Sequence, residues 1–343
     1  MTIGIQPVFG RPGIGTAQVA QRRNVSRNGA MDFYPAGGVI EGTKARDPGN
    51  TSYSVLALRA GLLMGKITSG GFWANSVLGL SDGALTSSGT TLTVAAEVVT
   101  ELVRRVGASG TFKLTGPPTA AGTVRTLTVT YSAASGTSIT ITALGVNEVQ
   151  TLTFGAAATG GTLRLHVPLA NGSFVTTGAI TWDTTDATYL SNINTALDAA
   201  TGVTGGIVAT GAAPDTALTF TFSGTGYAAL PQPTQVISVH TFPTSTTTAS
   251  VARTTTGVDG RFVTVSLVQP TDGSETIRSM IPDGYGIVIP DDSADVNFPH
   301  VPCAGTVDAA QVINWPSDAS LKTYIRDALN THGQGVWVFS DKF

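Results

Sequence analysis

Charge is what this chain most lacks: Asp, Glu, Lys and Arg together make up 12% of its 343 residues, about half the share usual in soluble proteins. That scarcity argues against a helical enzyme. Cysteine occurs once, at Cys303, so no internal disulfide is available and a cystine-stapled secreted domain is excluded. A lone thiol fits folding in a reducing cytoplasm. The four histidines, His166, His240, His300 and His332, stand far apart, with no HExxH, CxxC or paired Cys/His spacing, so no metal site is expected. There is no GxSxG elbow, and Gly13-Ile14-Gly15 completes neither GxGxxG nor GxxxxGK[ST], which leaves no cofactor or nucleotide expected. The longest uncharged stretch, 216–252, is interrupted by Pro231, Pro233 and Pro243 and predicts no membrane span. Met1 to Pro7 has neither the basic nor the apolar region of a signal peptide, so secretory export is not expected. With 19 basic and 22 acidic residues the net charge is −3, which gives no footprint for nucleic acid.

What is abundant is glycine, 41 residues of it, among tracts of Thr, Ser and Ala. Thr and Val suit a pleated surface, and Gly supplies the turns between short strands. At 41% hydrophobic residues and a positive mean hydropathy, the chain has the means to bury a core, so disorder is a poor alternative for the chain as a whole. A mainly β protein follows: a sandwich-like or barrel-like core with one or two short helices, plus an inserted β-rich domain containing one helix, and an extended N-terminal arm.

Residues 1–50 show no sustained period of 2 or 3.6 and are broken by Gly and Pro, which reads as the arm. They carry Arg11, Arg22, Arg23, Arg27, Lys44 and Arg46 against Asp32, Glu41 and Asp47, a basic excess on an otherwise acidic chain. From Tyr53 to Leu80, short apolar runs separated by glycine predict strands. Val94 to Val106 places Val94, Val98, Leu102 and Val106 four apart with Glu97, Glu101, Arg104 and Arg105 between, an amphipathic helix ending at Gly107. Alternating strands are expected at 111–115, 124–131 and 138–144. The core then comprises 51–147 and 259–343. Between them, 148–258 holds only Glu148, Arg164, Asp183, Asp186, Asp198, Asp215 and Arg253 as charges, and reads as an insertion. Its expected parts are a strand at 150–154, a hairpin around Asn171-Gly172, a helix at 186–199 burying Leu190, Ile193 and Leu197, and strands at 217–222 and 235–242. After it come strands at 261–269 and 285–289, a turn at 270–274, a helix opened by Pro316-Ser317-Asp318, and a closing strand with Trp337, Phe339 and Phe343.

No catalytic constellation is expected. His300 and Cys303 sit on one proline-bounded loop, where a packed thiol is the simpler reading than a nucleophile and base. Asp291, Asp292 and Asp295 lack EF-hand spacing and read as a solvated acidic loop. The candidate residues are instead partner-binding ones on the arm: Phe9, Arg11, Arg22, Arg23, Arg27, Phe33 and Tyr34. Arginines there suit an acidic protein surface, and apolar residues suit strand addition or groove docking.

Several segments together resemble the head decoration, or capsid cement, proteins of tailed bacteriophages. They are Leu58-Arg59-Ala60-Gly61-Leu62-Leu63-Met64-Gly65-Lys66-Ile67-Thr68, Leu102 to Gly110 running into Thr115-Gly116-Pro117-Pro118, Gln269 to Glu275, and Ile281 to Ile287. Between them they span about half the chain, and their marks are structural glycines and turns. The middle segment, with Glu148-Val149-Gln150 and Thr159-Gly160-Gly161-Thr162, is similar to a small accessory β-domain of phage virion proteins. It departs from a minimal decoration protein, which would run almost directly from Gly145 to Arg261. The resemblance implies a non-enzymatic virion protein, made in the host cytoplasm and placed on the head surface. Its implied partners are the major capsid protein and further copies of itself in a homotrimer, with no nucleic acid and no membrane. A host-surface glycan stands as a partner of the inserted domain. A tail tube subunit or a receptor-binding or glycan-binding fibre fits the same composition. A glycan-cleaving β-protein, needing two carboxylates about 5 Å apart, also stays open.

Overall fold

The computed structural model describes residues 25–50, 56–120, 122–232, 237–282, 286–289, 293–332 and 335–340. Strands account for 37% of the described residues and helices for 15%, so the fold is mainly β, with curled sheets forming half-barrels. The chain divides into two compact units. Unit 1 draws on Met1–Leu85, Thr90–Thr142 and Phe262–Phe343; unit 2 draws on Thr86–Gly89 and Ala143–Arg261. Among the described residues the α-helices are α1 (Ala96–Val106), α2 (Asp186–Thr201) and α3 (Ala319–His332).

In unit 1 the largest sheet runs Gly79–Leu80, Leu267–Gln269, Gly110–Gly116, Arg125–Ser135, Ser138–Ile141 and Thr91–Thr93. Alternation explains it: Phe112, Leu114, Val129, Tyr131, Ile139 and Leu92 are buried, while the threonines between them face outward or to the sheet margin. A second sheet orders Ser279–Met280, Leu63–Lys66, Trp73–Asn75, Gly38–Ile40 and Val296–Phe298. A third joins Ser26–Phe33 to Pro302–Asp308 and that strand, in parallel, to Trp337–Ser340. Helix α3 covers this third sheet's core side with Leu321, Ile325 and Leu329 against Val307 and Trp337, and Asp318 caps it by accepting from the Leu321 amide at 3.0 Å. Burying each such side chain contributes about 1.5–3 kcal/mol.

The stretch 25–50, expected as an extended, unpaired arm, is two strands joined and followed by turns, and belongs to the fold. Ser26–Phe33 pairs antiparallel with Pro302–Asp308, and Gly38–Ile40 lies between Val296–Phe298 and Trp73–Asn75. Val25, Ile40 and Ala45 are fully buried. Asp47, also buried, takes a bidentate fork from Arg59 at 2.6 and 2.8 Å. Their partners lie far away in sequence, more than 250 residues for Pro302–Asp308 and Val296–Phe298 and 33 for Trp73, so no local period announces them. Residues 1–24 lie outside the described part.

Helix α1 begins two residues later than its apolar spacing suggests and ends at Gly107, with φ 124°. Its charges were expected on the wet face, yet Glu101 and Arg105 are buried with Val98, Val99 and Leu102. The reason is pairing. Arg105 donates from Nε and Nη2 to Asp272 Oδ2 at 3.1 and 2.9 Å, from Nη2 to Ser274 Oγ at 2.7 Å, and from Nη1 to the Asn75 carbonyl at 3.1 Å. Glu101 accepts from Nε and Nη2 of Arg104, each at 2.7 Å, and Arg104 Nη1 donates to the Thr43 carbonyl at 2.5 Å. A buried charge is tolerated only when so many of its donors are matched.

Unit 2 has two sheets and one helix. Ile207–Thr210, Ala217–Phe222, Val149–Phe154 and Ala249–Thr255 form one; the last of these strands carries no strong sequence signal. In the other, Thr162–Pro168 pairs with Phe174–Thr176 and Ile180–Thr181 along one edge and with Ser238–Thr241 along the other. The turn signal is used as written: Gly172 takes φ 84°, and Asn171 Oδ1 accepts from the Ser173 amide at 3.0 Å. Helix α2 buries Tyr189, Ile193 and Leu197, with Leu190 half-buried, against Leu163, Leu165, Phe220 and Phe222. At the base of the unit, Val146 and Val258 exchange backbone hydrogen bonds at 3.0 and 2.9 Å. There Glu148, fully buried, accepts from Arg253 Nε at 3.0 Å, the Gln232 amide at 2.8 Å and Gln150.

Two outcomes follow. Burial by itself pushes the Asp272 carboxyl up, but the Arg105 guanidinium and the Ser274 hydrogen bonds overcome it and hold the group below its ordinary value of 3.8. Its stabilising contribution is therefore complete above that value and is lost as pH falls through the lower native one. Arg105→Met should cost about 3 kcal/mol in urea unfolding at pH 7, and the gap to the parent protein should narrow at pH 3. An equal gap at both pH values would assign the loss to packing alone. Replacing 146–258 with a short Gly/Ser linker should leave unit 1 with one cooperative melting transition; an insoluble or non-cooperative product would show that unit 1 needs unit 2 to fold.

Candidate partner-binding surface

The segments that carry the sequence resemblance meet in unit 1, and Arg105 lies at their junction. Beyond its bonds to Asp272 and Ser274, the Asp272 carbonyl accepts from the Thr68 amide at 2.9 Å. The Gly61 amide donates to the Ile281 carbonyl at 2.8 Å, and the Ile281 amide to the Leu62 carbonyl at 2.9 Å. Gly65 is obligatory in this cluster, because a Cβ there would collide with the Ser274 and Thr276 carbonyls. These residues hold one another in place; Gly61, Leu62, Gly65, Ser274 and Ile281 are buried, while Asp272 is half-buried and Thr68 exposed.

Of the seven partner-binding residues expected from the sequence, Phe9, Arg11, Arg22 and Arg23 lie outside the described residues. Arg27 stands within the Ser26–Phe33 strand. Phe33, 42% exposed, closes that strand with its ring edge-on to His300 at 5.6 Å. Tyr34 is half-buried: its ring packs 6.2 Å from Trp73, and its hydroxyl donates to the His332 carbonyl at 3.5 Å. It is thus an anchor of the fold, and Phe33 is the exposed member of the pair.

The same three-stranded sheet has a second outer strand, Trp337–Ser340. Its core side places Trp337 against α3 and stacks Phe339 on Trp315, with ring centroids 5.0 Å apart. Its other side leaves Val338 51% exposed, and Val336 just before it is 73% exposed. Exposed aliphatic side chains on an outer strand favour association with another chain. The alternation of Val336-Trp337-Val338-Phe339 carried the signal, but the sequence does not say which face is covered.

The remaining polar groups show their uses plainly. A groove of about 390 Å³ in unit 1 is bordered by Lys113, Glu275, Tyr324, Asp327 and His332. Lys113 Nζ is paired with Glu275 at 2.5 Å across it. Burial, and then the nearby Arg278 charge, press His332 below its ordinary value. Asp295 accepts from the Gly42 amide at 3.0 Å, a bond that fastens a loop; Asp291 and Asp292 lie outside the described residues. Cys303 is buried on Pro302–Asp308 while His300 is exposed and turned to Phe33. Burial, and then the Asp32 charge, push the thiol above its ordinary value, which disfavours the thiolate that a nucleophile needs. The native protein should therefore react slowly with a thiol-specific disulfide reagent at pH 8 and rapidly once unfolded, and Cys303→Ser should cost about 1 kcal/mol. Equal rates in the two states would mark Cys303 as an accessible, activated thiol.

No protein-family model matches the chain, and no curated protein matches it. A solved chain from Mycobacterium phage Patience is similar over 81% of this chain and 97% of its own, at 16% identity and a TM-score of 0.21, a likeness too slight to carry an argument about fold or function.

Proposed function

We propose that this is a structural protein of a tailed-phage virion that docks on the outer surface of the head and cements the capsid lattice. The observation that carries the reading is the open-edged sheet of unit 1. Among the described residues both of its outer strands, Ser26–Phe33 and Trp337–Ser340, pair with one neighbour; they expose Phe33 and Val338, and Val336 is exposed just before the second. Such edges bind by strand addition, in which backbone hydrogen bonds give affinity and alternate side chains give register. Repetition over a symmetric shell multiplies weak contacts. The segment 1–24, which leads into one of these edges, supplies Phe9, Arg11, Arg22 and Arg23 toward an acidic capsid surface. Its arginines add a salt-sensitive attraction. Self-association into a trimer belongs to the same reading, as does the absence of catalysis: the described ionic groups in the interior serve to hold loops and strands together. Because residues 25–50 are built into the core, the docking segment is restricted to 1–24.

The test is co-sedimentation with purified heads, and separately with purified tails, of the cognate phage. Deleting residues 1–22 should leave the melting temperature nearly unchanged and lower head occupancy at least tenfold. Val338→Asp should do the same with the N-terminal segment intact, and Arg22→Gln with Arg23→Gln should weaken binding chiefly at low ionic strength. A truncated and substituted protein that still saturates heads at the parent concentration would defeat the reading. Binding to tails but not heads would transfer the protein to a tube or fibre role.

A further inference from the structure

Unit 2 carries a second surface that the docking reading does not use. The Thr162–Pro168 strand sends Leu163, Leu165 and Val167 into the core, so Thr162, Arg164 and His166 stand on the opposite, outer face. Cross-strand register adds to that face Thr176 and Ser238, both opposite His166, and Thr241, opposite Arg164. Phe174, two residues before Thr176, joins them. Its ring is 41% exposed and lies parallel to the His166 imidazole, at an interplanar angle of 9° with centroids 5.3 Å apart. His166 Nδ1 is hydrogen-bonded to Thr176 Oγ1 at 3.1 Å, which fixes the ring and leaves the outer face of Phe174 as a flat apolar platform. His240, exposed, falls in the bulge between Val239 and Thr241 on the neighbouring strand.

Charge sets this face apart. Residues 143–261 contain three arginines against six carboxylates. Arg253 is paired with Glu148 and Arg261 with Asp259. Arg164, exposed, has only a long contact of 3.5 Å from Nη1 to the Thr177 carbonyl and no carboxylate among the described residues. In an acidic unit, this cation without a carboxylate partner shares one outer face with a set of hydroxyls and with the exposed ring of Phe174, which stands opposite Pro168 on the far side of His166.

We infer that this outer face of unit 2 binds a carboxylate-bearing sugar. The chemistry divides cleanly. A pyranose ring lays its C–H face on Phe174, as apolar surface does on an aromatic platform. The carboxylate of a neighbouring residue in the same oligosaccharide meets the guanidinium fork of Arg164, which is shaped for a planar anion. Thr162, Thr176, Ser238 and Thr241 offer hydroxyl partners to the sugar hydroxyls. Neutral sugars gain the stacking alone, and a free carboxylate gains the Arg164 contact alone, so discrimination requires both. The inference is independent of where unit 1 docks and holds equally for a head or a tail protein.

The experiment is titration of the full chain by NMR or calorimetry with tetragalacturonate, trimeric sialic acid and, as the neutral control, maltotetraose. At least one acidic oligosaccharide should bind at least tenfold more tightly than maltotetraose, with affinity falling as salt is raised. Phe174→Ala should weaken that binding at least tenfold. Arg164→Gln should weaken it to the neutral level and abolish the salt dependence. Both side chains are exposed, so the variants should melt with the parent; should Phe174→Ala not, Phe174→Leu keeps the fold and removes the flat ring. Failure of both acidic probes to bind, or binding indifferent to Arg164 and to Phe174, would overturn the inference.

Discussion

The guanidinium of Arg105 is the group on which unit 1 depends. It projects from α1 and bonds at once to Asn75, to Asp272 and to Ser274, so one side chain ties a helix, a strand end and a turn. A charge with a side chain 1% exposed would be prohibitive alone, because its hydration is lost. Here each nitrogen has a partner, and the price is offset only in the arrangement in which all of those partners are in place. That requirement explains the small residues around it. Ser274 must present both an amide and a hydroxyl to Asp272, and Gly65 must let the backbone of 274–276 pass at close range. The interaction selects one packing and rejects neighbours of similar apolar content.

Unit 2 repeats the device with the sign reversed. Glu148 is buried where the chain enters the unit, and its acceptors are taken by Arg253, Gln232 and Gln150. Arg253 comes from Ala249–Thr255, near the point where the chain leaves, and its Nη2 also holds the Gln232 carbonyl at 2.5 Å. Entry and exit are thereby clamped by one carboxylate. In a chain this poor in charge, the ion pairs of the interior act as registers for strands whose Thr and Ala side chains specify register weakly.

With these charges engaged in the fold, recognition falls to what the sheets expose. In unit 1 that is an apolar edge, suited to the proposed strand addition on a shell. In unit 2 it is a ring, a cation and hydroxyls on the outer side of one sheet. Both surfaces arise from the period of two: the strand that buries Trp337 exposes Val338, and the strand that buries Leu163 and Leu165 presents Arg164 and His166. A core-forming strand therefore also displays a fixed outer row.

Composition alone determined that the chain is mainly β, because β-branched residues and glycine admit little else, and local periodicity located α1, α2, α3 and the Asn171-Gly172 turn. Those features rest on neighbours within a turn or two of chain. The placement of 25–50 was decided only by tertiary structure, since the partners of Ser26–Phe33 and Gly38–Ile40 lie at residue 73 and near residues 296–307 and leave no trace in local pattern. Likewise, Arg105 reads as part of a wet helix face until Asn75, Asp272 and Ser274 are brought beside it. The exposed ring of Phe174 and the unpaired charge of Arg164 were equally illegible. Exposure and pairing are properties of what a residue meets, and for this chain most of those meetings are between residues far apart in sequence.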